Sequence, residues 1–393
     1  MGKILNLFLG CLMFSFSLTC LGQTKPSQHL SRQARISVIT TSPGEDLYTV
    51  FGHAAIRISD PLLNMDWVYG YGEFDFNTPN FYPEFVRGTL LYTISKDPFI
   101  LFKQEFLSEP YQMKEQELSL DSIQKQAVYD ILEKNILPEN RLYRYDFFYD
   151  NCSTRIRDVL NKAIPGSTLF SKTSNKTSPS FRDLIKTYLI DRPWIRLGTD
   201  IILGIPADKH LSPSEESFLP YFLSYYLSQA ILPNHQKLVS GESYILNNKA
   251  ATESMTIFTP TAWFWFLFLF SVLGVFYPRW GNLFAGLLYT ICGILGIIIL
   301  YLWLGTERSS YGLNLNILWA SPLLIPLLFT KGRIKAGLSI ICLVQLLFLY
   351  ANILLSIQII NPAIVPLSLM LCLYISRPFH PYLKQLGQDS SRQ

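Results

Sequence analysis

The sequence predicts an α+β exported domain followed by an all-α bundle of about five transmembrane helices. Three observations favour this fold class. Residues 1–22 have the pattern of a signal peptide, residues 23–256 have the mixed polar composition of a folded domain, and residues 257–380 are strongly apolar. Polar residues return at 381–393 and form the predicted cytoplasmic tail.

The amino terminus contains the parts of a signal peptide. Lys3 supplies a positive charge, and the apolar stretch Ile4–Leu18 is too short for a comfortable membrane span. Small residues near Gly22 provide a cleavage point before Gln23. A lipobox centred on Cys20 and a retained first transmembrane helix are the alternatives.

Strand patterns come first in the exported domain and are followed by helical patterns. Alternating apolar residues occur in "ARISVIT", "GHAAIRIS", "DWVYGYGEF" and "GTLLYTISK". The second and third of these stretches flank a turn at 61–64, which predicts a β-hairpin. Ile123, Ala127 and Ile131 repeat at helical spacing, so residues 119–135 are predicted to form a helix.

One cysteine of the exported domain, Cys152, lies in "FFYDNCSTRIRDVL". The apolar stripe within 156–163 predicts a helix, and Asp150 or Asn151 is a suitable cap, which places Cys152 in the first turn. There the helix dipole lowers the pKa of a thiol, and free backbone N–H groups are available as oxyanion donors. A buried, unreactive cysteine is the alternative.

A cysteine nucleophile needs a base, and His53 is the best placed of the histidines in this domain. It opens a predicted strand between Gly52 and Ala54, which leave space around the imidazole. A cysteine at a helix start and a histidine at a strand end is the papain-type pairing. Facing positions of the hairpin make Tyr71 or Glu73 the candidate for the third catalytic group.

Asn151 and Tyr145 are further polar groups close to Cys152 in sequence. The sequence contains no HExxH, no cysteine pair and no carboxylate cluster at ligand spacing, so we expect no metal and no cofactor. The formal net charge of +4 is small, and no basic patch with interleaved aromatics occurs. Nucleic-acid binding is therefore not expected.

Five apolar runs predict the spans of the membrane bundle: 261–277, 281–304, 313–330, 336–360 and 362–376. Basic residues follow the first, third and fifth runs, whereas the two intervening loops carry one arginine in total, balanced by Glu307. The positive-inside rule then places the basic loops in the cytoplasm and residues 23–256 outside.

The order of the two catalytic candidates, His53 before Cys152, resembles circularly permuted NlpC/P60 enzymes, a papain-like superfamily. More closely, the chain resembles the Lnb family of bacterial membrane proteins, which carry an N-terminal periplasmic domain. The stretches that carry this resemblance are "GHAAIRI", "VYGYGEFDF", "FVRGTLLY", "YRYDFFYDNCSTRIRD", "LGTDIILGIPAD" and "LNLNILWASPL". The resemblance covers nearly the whole chain and implies a papain-like exported domain.

The resemblance also implies lipoprotein N-acyltransferase activity at the bacterial inner membrane. An acyl chain would pass from a phospholipid to the α-amine of a diacylglyceryl-cysteine lipoprotein, with Cys152 as nucleophile and His53 as base. The motif residues Asn151 and Arg155, with Asp150 and Thr154, would shape the pocket, bind a headgroup or have structural roles. Arg308 and Asn316 would lie near the headgroup level.

Three other functions fit the same residues. A cell-wall peptidase would use the same pair but needs only one membrane anchor. A phospholipase or thioesterase would transfer the acyl chain to water instead of an amine. A membrane-anchored sensor or assembly factor would have an inert Cys152 that does not react with thiol probes.

Overall fold

The computed structural model describes residues 28–46, 49–107, 110–165, 169–170, 177–248 and 258–379. The predicted signal peptide (1–22), with the lipobox alternative at Cys20, and the predicted tail (381–393) lie outside the described residues. The described chain consists of an N-terminal α/β domain and a C-terminal helical region.

The N-terminal domain is built on one seven-stranded sheet. Its strands are β1 (Arg35–Thr41), β2 (His53–Asp60), β3 (Met65–Glu73), β4 (Leu91–Pro98), β5 (Gln112–Leu118), β6 (Leu142–Arg144) and β7 (Val239–Asn247). All neighbours pair antiparallel, in the order β6-β4-β3-β2-β1-β5-β7. The predicted hairpin of β2 and β3 is confirmed, with Ala55 opposite Gly70.

Helices cover both faces of this sheet. They are α1 (Phe81–Arg87), α2 (Phe99–Glu105), α3 (Ser122–Asn135), α4 (Cys152–Ala163), α5 (Phe181–Tyr188), α6 (Pro193–Ile202), α7 (Pro213–Glu216) and α8 (Pro220–Gln229). The larger core lies between the sheet and α3, α4 and α8, and includes Ile56, Leu132 and Ile156, all fully buried. Burial of each such side chain contributes roughly 1.5–3 kcal/mol. The opposite face carries a smaller core around Val68 and Phe102.

The strand β3 contains an irregularity close to the predicted catalytic residues. Its register with β4 shifts between Tyr71 and Glu73, and Gly72, the residue between them, has a φ of 101°, which favours glycine. An extra residue in one strand sends the side chains before and after it to opposite faces. Tyr71 therefore enters the larger core, whereas Glu73 does not.

The helical region contains α9 (Pro260–Phe276), α10 (Pro278–Gly305), α11 (Gly332–Leu355) and α12 (Ile364–Ile375). Among the described residues, three segments are long and apolar enough to cross a membrane: Pro278–Gly305, Ser309–Leu328 and Gly332–Leu355. The middle one consists largely of short 3-10 turns. The first and fifth predicted runs form helices of 17 and 12 residues. Because a perpendicular span needs about 20 residues, the count of five spans stays a prediction.

Buried polar side chains join the two parts of the chain. Arg182 is 3% exposed and donates to the carboxylates of Asp200, at 3.3 Å, and Asp208, at 2.6 Å. The Asn361 amide donates to the Asp200 carboxylate at 2.7 Å, and the Asn316 amide donates to the Asp200 carbonyl oxygen at 3.1 Å. We call these five residues the polar joint. Since each group is hydrogen-bonded, the joint fixes the domain against the helices.

Candidate active site

The α4 helix begins at Cys152, as the sequence predicts, because Asn151 caps it. The Asn151 side chain accepts from the Thr154 N–H at 2.9 Å, and the Thr154 hydroxyl accepts from the Asn151 N–H at 2.8 Å. The Asn151 amide also donates to the carbonyl oxygens of Phe147 and Phe218. Asn151 is 2% exposed. These contacts make it an anchor of the helix start and leave its side chain no free surface for a headgroup.

His53 begins β2 next to this helix start. Its backbone N–H donates to the Thr41 hydroxyl at 2.9 Å. Gly52 adopts a φ of 76°, and a Cβ there would lie 2.4 Å from the Thr41 carbonyl oxygen. Glycine is therefore required before the histidine, which gives the "GH" of the motif a structural reason.

The His53 imidazole lies close enough to the Cys152 thiol for each group to shift the pKa of the other, and both residues are half-buried. Burial alone raises the pKa of the Cys152 thiol, but the positive charge of the nearby His53, with the Ala54 N–H and Ser153 hydroxyl, outweighs it, so the pKa is lowered. Burial lowers the pKa of His53, but Cys152 and two carboxylates outweigh it, so that pKa is raised. Both shifts favour the thiolate form of Cys152 and the imidazolium form of His53.

The two carboxylates that face His53 belong to Glu73 and Glu105. A Cβ at Gly70 would lie 3.6 Å from His53 Nε2 and 3.7 Å from Glu73 Oε1, so both atoms border the space that this glycine leaves. Glu105, at the end of α2, has a pKa raised by burial and by the neighbouring Glu73 and Asp97 charges. No sequence pattern singled out Glu105, because α2 follows β4 without a loop or motif.

Tyr71, the other candidate for the third group, has a different partner. Its ring is 1% exposed in the larger core, and its hydroxyl accepts from the Asn135 amide at 2.7 Å. Burial raises the pKa of Tyr71 to about 12. The bulge at Gly72 sends the Glu73 side chain to the face opposite Tyr71, so the structure brings Glu73 and not Tyr71 to the imidazole.

Arg155 and Tyr145 lie on the sheet side of the site. Arg155 makes two hydrogen bonds to the Asp150 carboxylate, at 2.5 and 2.7 Å, and its guanidinium lies 3.7 Å from the centre of the Tyr143 ring. Tyr145 stacks on Tyr92 with ring centres 4.5 Å apart. Burial and then the Cys152 charge raise the pKa of Tyr145 well above its usual range.

Arg308 lies close enough to Tyr145 and Tyr92 for its charge to act on both phenols, whereas Asn316 lies in the polar joint. Arg308 donates to the Phe85 carbonyl oxygen at 3.2 Å and contacts α1. Asn316 is 1% exposed and belongs to the polar joint, where it also accepts from the Trp319 indole. The prediction that Asn316 lies at headgroup level to bind lipid is not supported by these contacts, because its amide is saturated by protein groups.

The arrangement is suited to acyl transfer through a cysteine. The Cys152 thiol, whose pKa is lowered, lies at the amino terminus of α4. The His53 imidazole, whose pKa is raised, lies beside it, and Glu73 borders the imidazole. Within the described ranges, no group of three or more His, Cys, Asp or Glu side chains could hold a metal ion.

Removal of the imidazole tests this electrostatic description. In the variant His53→Ala, the imidazole charge that lowers the pKa of Cys152 is gone, so burial raises that pKa. The curve of Cys152 alkylation rate against pH therefore moves to higher pH. The rate at pH 7 with soluble iodoacetamide, followed by peptide mapping, falls about tenfold for each unit of pKa gained. His210→Ala, which removes an exposed ring, is the control. An unchanged curve for His53→Ala contradicts the pairing.

Comparison with protein families matches two models to this chain. The Lnb N-terminal periplasmic domain matches residues 27–188, and the Lnb transmembrane domain matches residues 251–382. Together they cover about three quarters of the sequence. The chain belongs to the Lnb family. Comparison with curated proteins and with solved structures gave no match.

Family membership settles the general placement of the two parts. The N-terminal α/β domain, which contains Cys152 and His53, is periplasmic, and the helical region lies in a membrane. The candidate site therefore faces the periplasm. The polar joint holds it to the membrane-embedded helices.

Proposed function

We propose that this chain is a lipoprotein N-acyltransferase of the bacterial inner membrane. It would move an acyl chain from a phospholipid to the α-amine of a diacylglyceryl-cysteine lipoprotein. The observation that carries the proposal is the Cys152–His53 pair, in a periplasmic domain that packs on membrane-spanning helices. The phospholipid and the acyl chains of the lipoprotein both lie in the membrane, so a site held at the membrane surface suits them.

In the first half-reaction, the Cys152 thiolate attacks an ester carbonyl carbon of the phospholipid. Free N–H groups in the first turn of α4 stabilise the oxyanion that forms. The carbon–oxygen ester bond then breaks, and the His53 imidazolium gives its proton to the leaving lyso-phospholipid. The products are a Cys152 thioester, a neutral His53 and the lyso-phospholipid.

In the second half-reaction, the neutral lipoprotein amine attacks the thioester carbonyl carbon. His53 takes the proton that the amine loses, and the carbon–sulfur bond breaks. Thiolate and imidazolium are thereby restored, so the cycle needs no further reactant. A thioester suits this step because amines attack it readily when water is excluded.

A reconstituted assay distinguishes this function from its alternatives. The full chain in phospholipid vesicles receives a lipid with a labelled acyl chain and a synthetic diacylated lipopeptide. Transfer of label to the lipopeptide amine supports the proposal. Release as free fatty acid with no labelled lipopeptide identifies a lipid hydrolase, and cleavage of a cell-wall peptide without lipid turnover identifies a peptidase.

Glu73 is proposed to position His53 rather than to react. Because its charge raises the pKa of His53, Glu73→Gln is expected to lower that pKa and to move the alkaline limb of the activity–pH profile to lower pH. Transfer falls roughly tenfold to a hundredfold at neutral pH. The control is Glu117→Gln, which removes a carboxylate from an exposed ion pair. Lower activity with an unshifted pH profile contradicts the positioning role.

A further inference from the structure

The short helix α1 has an apolar face that points outward. Phe81 is buried in the larger core, but Tyr82, Phe85 and Val86 on the outer side are 73%, 45% and 39% exposed. These three positions share one helix face by their spacing. Phe76, in the preceding loop, is 62% exposed and lies 5.0 Å from Phe81, ring centre to ring centre. We call Phe76, Tyr82, Phe85 and Val86 the aromatic patch.

The aromatic patch is tied to the outer end of a membrane span. The Glu307 N–H, two residues after α10, donates to the Arg87 carbonyl oxygen at 3.0 Å. Arg308 donates to the Phe85 carbonyl oxygen, and Glu307 forms an ion pair with Arg144 of β6. The end of α10 that contacts the N-terminal domain is therefore its periplasmic end. The helix α1 lies at the same depth relative to the membrane as that end.

The length of α10 places this level at the lipid headgroups. A helix of 28 residues is about 42 Å long, which matches a bilayer of roughly 40–45 Å with its headgroup regions. Aromatic side chains favour this boundary, and exposed apolar patches of this kind mark interaction surfaces.

A series of ring contacts leads from the patch into the larger core, against which Cys152 packs. Phe81 lies 5.7 Å from Phe74, Phe74 lies 5.4 Å from Tyr92, and Tyr92 stacks on Tyr145 at 4.5 Å between ring centres. Phe74, Tyr145 and Cys152 all pack against the same core. We call Phe81, Phe74, Tyr92 and Tyr145 the ring series.

We propose that the aromatic patch is seated in the periplasmic leaflet of the bilayer and that the ring series guides a lipid acyl chain towards Cys152. The position of the aromatic patch in the leaflet is inferred from the geometry of α1 and α10. The guidance of an acyl chain rests on the proposed acyl transfer. The occupant is a phospholipid of the same membrane that α10 crosses.

Depth measurement tests the seating without any assay of activity. The full chain, with its six native cysteines replaced by alanine, carries a nitroxide at Tyr82→Cys or at Ile123→Cys and is placed in phosphatidylglycerol–phosphatidylethanolamine vesicles. Ile123 is 82% exposed on α3 and serves as the matched site. At position 82, the nitroxide should collide more often with oxygen than with an aqueous nickel complex. At position 123 it should not. Equal values at the two positions overturn the seating.

A kinetic comparison tests the guidance. In the otherwise native chain, Tyr82→Ser combined with Phe85→Ser should raise the KM for vesicle lipid at least about tenfold. Alkylation of Cys152 by soluble iodoacetamide should not change, and Ile123→Ser should change neither quantity. An unchanged KM in the double variant overturns the guidance. If the native chain transfers no acyl group, the proposed function fails while the depth measurement still decides the seating.

Discussion

Cys152→Ala is expected to remove one acyl chain from the α-amine of mature lipoproteins in cells that depend on this protein. The variant lacks the thiolate that His53 stabilises, so no thioester forms. Loss of a nucleophile that acts with its base lowers activity by about 10³-fold or more. Mass spectrometry of a lipoprotein N-terminal peptide, at matched protein levels, measures the change directly.

Cys372→Ala provides the matched control, since it removes a half-buried thiol from the helical region. Lipoproteins from this control should carry the full set of acyl chains. Equal acylation in cells with the native chain and with Cys152→Ala would show that Cys152 is not the nucleophile. The sensor or assembly-factor alternative then gains weight.

Arg182→Ala is expected to cause the largest loss of stability. It leaves the Asp208 carboxylate, 9% exposed, without its guanidinium partner, and leaves the Asp200 carboxylate, 8% exposed, with Arg196 at 3.6 Å as its remaining cation. Removal of one partner from a buried ion pair costs about 3–5 kcal/mol. The melting temperature of the purified full chain in detergent should fall by at least about 5 °C.

The comparison variant for this experiment is Arg35→Ala. Arg35 faces Glu117 at 4.0 Å, and their side chains are 67% and 45% exposed. Such surface pairs contribute about 0–1 kcal/mol, so the melting temperature should change little. Equal shifts for Arg182→Ala and Arg35→Ala would contradict the view that the polar joint holds the domain to the membrane helices.

Local patterns predicted the central pair well. The cap at Asn151, the apolar stripe of α4 and the alternation of β2 are short-range features, and they place Cys152 at a helix start and His53 at a strand start. The bulge at Gly72 was not predicted, because a regular strand would have put Tyr71 and Glu73 on one face. One extra residue decided which of them faces His53.

Long-range features were less accessible to sequence reasoning. The strand β5 pairs with the edge strand β7 across more than 100 residues of chain, and the charged sequence of β5, "QMKEQEL", has no strong strand pattern. Asn316 was expected near lipid because it interrupts an apolar run. Its partners, Asp200 and Ile201, belong to the other domain, and only the tertiary structure brings them together.

The most direct test of the central claim is a search for the acyl-enzyme. The full chain is incubated in phospholipid vesicles without an amine acceptor, digested and analysed by peptide mass spectrometry. We expect an acyl mass on the peptide that contains Cys152, removed by hydroxylamine and discharged by a diacylated lipopeptide. Acyl transfer that proceeds with no such adduct, or with an adduct on another residue, would contradict the assignment of Cys152 as the carrier.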